Sequence, residues 1–247
     1  MRIALVGYGR MGRAVEEAAR ARGDEIVARL DREDRIDAAA LAGAEVAIEF
    51  SVPSSAPLNL RRLAEAGVDT VSGTTGWDPA QGEVDAAVRA AGTGLLVAAN
   101  FSLGVGFFHR IVREAARLAA GVPDYDVHLY EAHHRHKLDH PSGTARMLAD
   151  SVVELFAGKD RWEESPPAGR PEREVVYLSV ARAGEIAGTH VVSFEGPNDR
   201  VELRHEARDR GGFAVGAVEA AHWVRGRPGV HTLGDWLRDR FTDSPSP

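Results

Sequence analysis

Ile3-Ala4-Leu5-Val6-Gly7-Tyr8-Gly9-Arg10-Met11-Gly12 decides how the rest of the chain is read. Four consecutive apolar residues have the character of a short strand buried on both faces, as in a parallel sheet. The next six fit G-x-G-x-x-G, and the Ala/Arg/Glu-rich residues 12–22 that follow have helical character. The fingerprint alone is weak, but between a strand and a helix it implies a dinucleotide-binding turn. Gly7 permits the tight turn, Gly9 lets the backbone approach a pyrophosphate, and Gly12 allows close helix packing. The helix N-terminus adds amide donors and the positive end of a dipole. On this reading Gly7, Tyr8, Gly9, Arg10, Met11 and Gly12 hold the phosphates of NADH or NADPH. The competing reading is an ordinary strand-to-helix turn.

Outward from this turn the pattern repeats. Residues 25–30, 44–50, 68–72 and 94–98 read as strands, and 36–42 and 53–66 as helices, with a further helix opening at Asp78-Pro79. Strands alternating with helices imply a Rossmann-like doubly wound parallel sheet. Asp31 follows the second strand about 20 residues beyond Gly12, where an acid commonly accepts hydrogen bonds from the adenosine ribose. Arg32 beside it suits a 2′-phosphate, so NADH and NADPH both remain open, as does a pair of solvated loop charges. Gly73, Thr74 and Thr75 follow the fourth strand; Ala98, Ala99, Asn100 and Phe101 follow the fifth. Strand carboxyl ends are where this fold places ligands, and small residues there allow contact with a nicotinamide and its ribose. Each segment alone also reads as a plain turn.

After Asn100 the alternation stops. A long amphipathic helix at 107–120 is followed by an alternating strand at 126–131, a His-rich segment and a helix at 142–156. Residues 159–174 read as a charged surface loop, 175–180, 190–195 and 200–207 as strands, 213–225 and 232–240 as helices, and 243–247 as a frayed tail. This is an α/β region followed by an α+β region, with a boundary near 100–106. The 247 residues are 44% hydrophobic and 27% charged, ordinary globular composition, and no cysteine is present for disulfides, thiolate metal sites or thiol nucleophiles. A formal net charge of −7 argues against nucleic-acid binding, and no apolar run approaches a membrane span. Met1-Arg2 leads straight into the first strand without signal-peptide architecture, so a cytoplasmic location is expected.

The richest segment runs Glu131-Ala132-His133-His134-Arg135-His136-Lys137-Leu138-Asp139-His140-Pro141-Ser142-Gly143-Thr144-Ala145. Ser142, Gly143 and Thr144 open a helix and offer amides and hydroxyls to an anion such as a carboxylate. Lys137 adds a cation, and histidines titrate near neutrality. Three readings stay open: an acid–base site for an acidic substrate, a metal site from His133, His134, His136, Asp139 and His140, or a solvated polar loop. Arg135 and Lys137 oppose a metal ion, and H-E-x-x-H is absent, so no metal is expected.

This segment resembles the signature of the 4-hydroxy-tetrahydrodipicolinate reductase family, also called dihydrodipicolinate reductase. Gly9-Arg10-Met11-Gly12, Phe50-Ser51 with Pro53, Gly73-Thr74-Thr75-Gly76 and Ala99-Asn100-Phe101-Ser102 match family blocks in order. So do Arg182 with Gly184, Ile186, Gly188 and His190, and Phe213-Ala214 with Gly216-Ala217. The resemblance implies an oxidoreductase of the diaminopimelate route to lysine, in which NADH or NADPH reduces a cyclic dicarboxylate. His133 and Lys137 fall at its proton-transfer positions, His134, Ser142, Gly143 and Thr144 at its substrate positions, and Gly7–Gly12, Asp31, Arg32, Gly73–Thr75 and Ala98–Phe101 at its cofactor positions. It further implies a dinucleotide-binding domain at 1–103 to which 213–247 return, a substrate domain at 104–212, and a homotetramer assembled through the second domain's sheet. His140 stands where the family more often has a small residue, and either assists carboxylate binding or faces solvent. The rival functions are another two-domain NAD(P)-dependent dehydrogenase for an anionic substrate, a non-catalytic dinucleotide sensor, and a metal hydrolase.

Overall fold

The structure, a computed structural model, describes residues 1–165, 168–209 and 211–241, so the tail expected to fray at 243–247 lies outside the described residues. The elements in chain order are β1 (Arg2–Val6), α1 (Arg10–Arg22), β2 (Glu25–Leu30), β3 (Val46–Glu49), α2 (Ala56–Glu65), β4 (Asp69–Ser72), a 3₁₀ turn at Asp78–Ala80, α3 (Gln81–Ala91) and β5 (Gly94–Val97). Then come α4 (Leu103–Ala120), β6 (Asp126–His133), α5 (Gly143–Leu155), β7 (Arg161–Glu164), β8 (Val175–Arg182), β9 (Thr189–Glu195), β10 (Arg200–Glu206), α6 (Gly211–Val224), β11 (Gly229–Thr232) and α7 (Leu233–Phe241). The chain divides into two compact units, Met1–Ser102 with Arg210–Pro247, and Leu103–Asp209.

Among the described residues the first unit builds one sheet in the order β11-β5-β4-β3-β1-β2, with every pairing parallel. Ile3, Ala4, Leu5 and Val6 are all buried, as are Val46, Ala47 and Ile48 of β3, which is why these strands read as continuous apolar runs. The chain leaves β1 for β2 on one side and then crosses to β3 on the other, so the strand order reverses beside β1. Helix α1 stops at Gly23, whose φ of 90° is left-handed and whose N–H reaches Arg20 O at 3.0 Å. Helix α6 comes close to the strand ends because Gly216 has no side chain; a Cβ there would lie 1.7 Å from Phe101 O.

Three local expectations are corrected. Residues 36–42 form turns instead of a helix: Asp37 Oδ1 accepts from Ala40 N at 3.0 Å, and Ala42 and Gly43 both take positive φ, ending any helical run. So short a segment cannot support helix nucleation against such turns. The expected loop at 159–174 contains β7, an edge strand with little apolar character, paired with β8. β11 was not expected at all; its four residues carry no apolar run and form a strand by pairing with β5.

The second unit builds a mixed sheet in the order β10-β9-β6-β8-β7, antiparallel from β10 to β6 and parallel from β6 to β7. Helices α4 and α5 cover one face, where Phe108, Val112, Leu148 and Val152 pack on Leu129, Leu178, Val192 and Phe194. His128 and Tyr130 on the opposite face are exposed. No helix among the described residues is long and apolar enough to cross a membrane.

Candidate active site

In the first unit the expected nucleotide residues gather at strand carboxyl ends. Gly7 has a φ of 88°, and a Cβ on it would lie 2.2 Å from Phe50 O; one on Gly12 would lie 2.5 Å from Gly7 O. Both glycines are therefore required by the protein itself. Gly9 differs: a Cβ there would meet nothing within 4 Å. It caps α1 without a side-chain hydrogen bond, and the first turn holds no acidic residue. An uncapped, unneutralised helix N-terminus beside a bare backbone fits a pyrophosphate. Tyr8 is fixed beside the loop: its hydroxyl donates to Glu16 Oε2 at 2.5 Å, while Arg29 binds the same carboxylate through Nε at 2.8 Å. Arg29 and Tyr8 outweigh partial burial and hold Glu16 down to about 2.

Asp31 directly follows β2, and its Oδ1 accepts from Arg32 N at 2.9 Å; both side chains are exposed. Gly73 is fixed by Phe50, whose Cε1 would lie 1.9 Å from an added Cβ. Thr74 Oγ1 accepts from Ser51 N at 2.9 Å and donates to Glu49 Oε1 at 3.0 Å. Thr75 and Ala99 are exposed, and Ala98 is buried. Asn100 Oδ1 accepts from Ser102 N at 2.8 Å. The Phe101 ring is core, between Phe50 at 6.2 Å and Trp236 at 6.4 Å, which leaves its backbone for any ligand.

In the second unit the His-rich segment leaves the end of β6 and enters α5. Ser142 is the N-cap, with its Oγ accepting from Ala145 N at 3.1 Å. Behind it stands Glu131, wholly buried. Its Oε1 accepts from Ser142 N at 2.9 Å and from Arg182 Nη2 at 2.9 Å. Its Oε2 lies 3.3 Å from His133 Nδ1 and 3.5 Å from His190 Nε2, within charge-pairing range of both rings. Burial pushes the Glu131 carboxyl up, but His133, His190, Ser142 and Arg182 together hold it well below the usual carboxylate range. His190 also meets Ser142 Oγ at 3.2 Å; burial pushes this imidazole down, against the pull of Glu131. Gly188 makes room for the His133 ring, since a Cβ there would lie 3.0 Å from Nε2.

Lys137 Nζ pairs with Asp139 Oδ1 at 2.8 Å. Burial pushes the Asp139 carboxyl up, but Lys137 and the Gly143 backbone outweigh it and hold the acid down. Arg182 Nη2 also donates to Asp139 O at 2.9 Å, tying the loop to Glu131. His134 is half-buried, its ring 6.1 Å from that of His136; Gly143 is exposed and Thr144 half-buried. The side chains considered for a metal separate: His136 faces Glu185 at 3.6 Å and His140 pairs with Glu164 at 2.8 Å. Among the described residues, the group with metal-ligand spacing is Glu131, His133 and His190; Arg182 binds the other oxygen of that carboxylate, Oε1.

Residues 1–101 match the family described as dihydrodipicolinate reductase, N-terminus, and residues 104–237 match dihydrodipicolinate reductase, C-terminus. The chain belongs to the dihydrodipicolinate reductase family. It is 37% identical over 243 residues to the 4-hydroxy-tetrahydrodipicolinate reductase of Christiangramia forsetii, covering 98% of this chain and 99% of that one. It is 38% identical over 254 residues to the 4-hydroxy-tetrahydrodipicolinate reductase of Caulobacter vibrioides, covering 96% and 97%. The fold is similar to that of a dipicolinate-bound dihydrodipicolinate reductase from Paenisporosarcina sp. TG-14, with a TM-score of 0.72, 22% identity, and 94% and 97% of the two chains covered.

Within this reductase fold, sequence reading singled out the polar groups expected to meet ligands and missed those that hold them. Glu131 and Arg182 stood in quoted motifs without a role, as did His190. Glu49, at the end of an apolar strand, gave no signal beyond being an acid in a buried run.

Proposed function

We propose that this protein reduces 4-hydroxy-tetrahydrodipicolinate with NADH or NADPH, in the cytoplasm, on the diaminopimelate route to lysine. The observation that carries the reading is His133 and Lys137 beside the α5 N-terminus, with Glu131 buried behind it. When bound, the reduced nicotinamide supplies the hydride. Gly9 and the first turn of α1 receive the pyrophosphate, Asp31 the adenosine ribose, and Arg32 a 2′-phosphate where NADPH is used. Backbone N–H groups of Gly143 and Thr144 receive one substrate carboxylate, with Ser142 holding the turn and His134 alongside. Lys137 turns from Asp139 to the dicarboxylate, a stronger anion at that position.

The 4-hydroxyl leaves as water, the hydride adds to the resulting conjugated ring at C4, and the charge left on the ring by that addition is neutralised by a proton from His133 or Lys137. The Glu131 carboxylate, 3.3 Å from Nδ1, orients the His133 ring and leaves Nε2, beside Gly188, for that transfer. The test generates substrate in situ from pyruvate and aspartate semialdehyde and follows oxidation of NADH and NADPH. Turnover that dipicolinate inhibits is expected; nucleotide binding without turnover would favour a sensor or another dehydrogenase. In the same assay Arg32→Ala lowers the NADPH rate relative to the NADH rate.

We further propose a homotetramer. The sheet face away from α4 and α5, carrying exposed His128 and Tyr130, supports a second copy as its cover. Light scattering of the purified protein checks this, and a monomer at working concentration would refute it.

A further inference from the structure

Glu49 is the last residue of β3 and is wholly buried. Its Oε1 accepts from Ser51 N at 3.0 Å, from Thr74 Oγ1 at 3.0 Å and from Ser51 Oγ; its Oε2 accepts from Ser72 Oγ at 2.6 Å. Three of these bonds reach Oε1 and one Oε2, with Ser51 N shared between Oε1 and Thr74 Oγ1; every one has the carboxylate as acceptor, as its ionised form requires. All four donors are neutral. No Lys, Arg or His among the described residues lies within ion-pair distance of it. A buried charge without a counter-ion is costly, and a protein selected only for stability would not keep one.

Its position suggests what the charge serves. Strand order reverses beside β1, and a dinucleotide spans such a reversal with its pyrophosphate on the glycine turn. The acid after β2 takes the adenosine half, so the nicotinamide half falls on the side of β3 and β4. Glu49 ends β3, and its partners Ser72 and Thr74 flank Gly73 at the end of β4. The nicotinamide ring is neutral when reduced and cationic when oxidised.

We propose that Glu49 is a positioning residue of the nicotinamide half-site whose uncompensated carboxylate favours the cationic, oxidised ring over the neutral, reduced one. Two roles follow from one group. Its hydrogen bonds order Ser51 and the Ser72–Thr74 turn. Its field favours the positive charge that grows on the ring as the hydride leaves. The repulsion it exerts on the pyrophosphate is common to both redox forms and cancels in their ratio.

The inference rests on the reductase reading and is tested by binding, not turnover. Dissociation constants are measured for NAD⁺, NADH and a dinucleotide carrying a neutral benzamide ring in place of the pyridinium. The wild-type protein is expected to prefer NAD⁺ to the benzamide dinucleotide by about fivefold, the scale of one screened charge contact. Glu49→Gln keeps the shape and removes the charge; it should weaken NAD⁺ about fivefold more than NADH and abolish the preference over the benzamide dinucleotide. Equal weakening of NAD⁺ and NADH would reduce Glu49 to a loop brace and overturn the proposal. If Glu49→Gln does not fold, equal binding of NAD⁺ and the benzamide dinucleotide by wild-type protein overturns it alone. Failure of the wild-type protein to bind NADH at all would overturn both this inference and the reductase reading.

Discussion

Among the described residues each unit buries one carboxylate completely, and the two are stabilised in opposite ways. Glu131 faces a guanidinium and two imidazoles, whereas Glu49 faces three hydroxyls and a backbone amide. The anion sites differ in the same sense. The α1 N-terminus offers bare backbone around Gly9, whereas the α5 N-terminus is capped by Ser142 with Lys137 close in sequence. Around its buried carboxylate the second unit uses side chains that can carry protons, His133, His190 and Arg182. Around Glu49 and at the α1 N-terminus the first uses backbone and neutral donors, which suits a ligand that must be held but not protonated. A hydride-transfer enzyme that also protonates its substrate needs both kinds of site.

The largest effect is expected at the proposed proton-transfer pair, His133 and Lys137. Lys137→Ala should lower turnover roughly a thousandfold, within the range for general acid catalysis. NADH affinity should stay within about twofold, and the lost pair with Asp139 should change stability by less than about 1 kcal/mol, because both groups are partly exposed. Steady-state kinetics beside NADH titration separates these. A comparable loss in NADH affinity would remove Lys137 from the substrate site.

Next comes Glu131. Glu131→Ala leaves Arg182 largely buried without its partner and frees His133 Nδ1, so a loss of about 3 kcal/mol in stability is expected. Glu131→Gln keeps an acceptor for Ser142 N and Arg182 but removes the charge beside His133. It should recover much of the stability and little of the turnover. Denaturant unfolding and kinetics on both variants decide this; full recovery of turnover in the glutamine variant would show that only shape matters at this carboxyl.

Gly9→Ala tests the backbone-built site. The residue has an ordinary φ of −84° and open space where the methyl would go, so the melting temperature should stay near that of wild type. NADH affinity should fall about tenfold, since one methyl separates the phosphates from the amides of α1. Gly7→Ala is the control in the other direction: it clashes with Phe50 O and should unfold the unit whether or not nucleotide is present. Unchanged NADH affinity in Gly9→Ala would place the pyrophosphate elsewhere.

What could be read in advance follows from which forces leave a mark in a local pattern. The doubly wound sheet was legible because β1 and β3 are buried on both faces, so their runs are continuously apolar. β11 was not, because Gly229–Thr232 owes its conformation to pairing with β5, more than 130 residues earlier in the chain. At Gly73 the structure shows a packing reason that no local pattern carries: Phe50 excludes a side chain there whatever binds, and packing of that kind is invisible from either segment alone. His133, Lys137 and Ser142 stood out because titratable and hydroxyl side chains cluster within one short stretch. Arg182, Glu131 and His190 hold one another from three different strands, so no spacing rule could have joined them.

The smallest effect concerns acid, and it sharpens the contrast between the two units by titrating the charge hub of the second. Burial holds the His190 imidazole below its ordinary value, so the folded protein refuses a proton that the unfolded chain accepts from about pH 6.5 downwards. Stability is therefore complete above that pH and declines as pH falls through the His190 window. Glu131 adds a second decline, because its folded carboxyl is held below the ordinary range while the unfolded one takes a proton from about pH 4.3 downwards. His109 and His205, also held down by burial, contribute to the upper decline with the same sign. His190→Gln keeps an amide near Ser142 Oγ and removes one of these three titrations. The melting temperature of the variant should consequently fall by a few degrees less than that of wild type between neutral pH and pH 5, with the lower decline intact. Parallel curves across that interval would mean that His190 takes up its proton in the folded protein, with Glu131 as counter-ion, and that the hub stores a positive charge instead of excluding one.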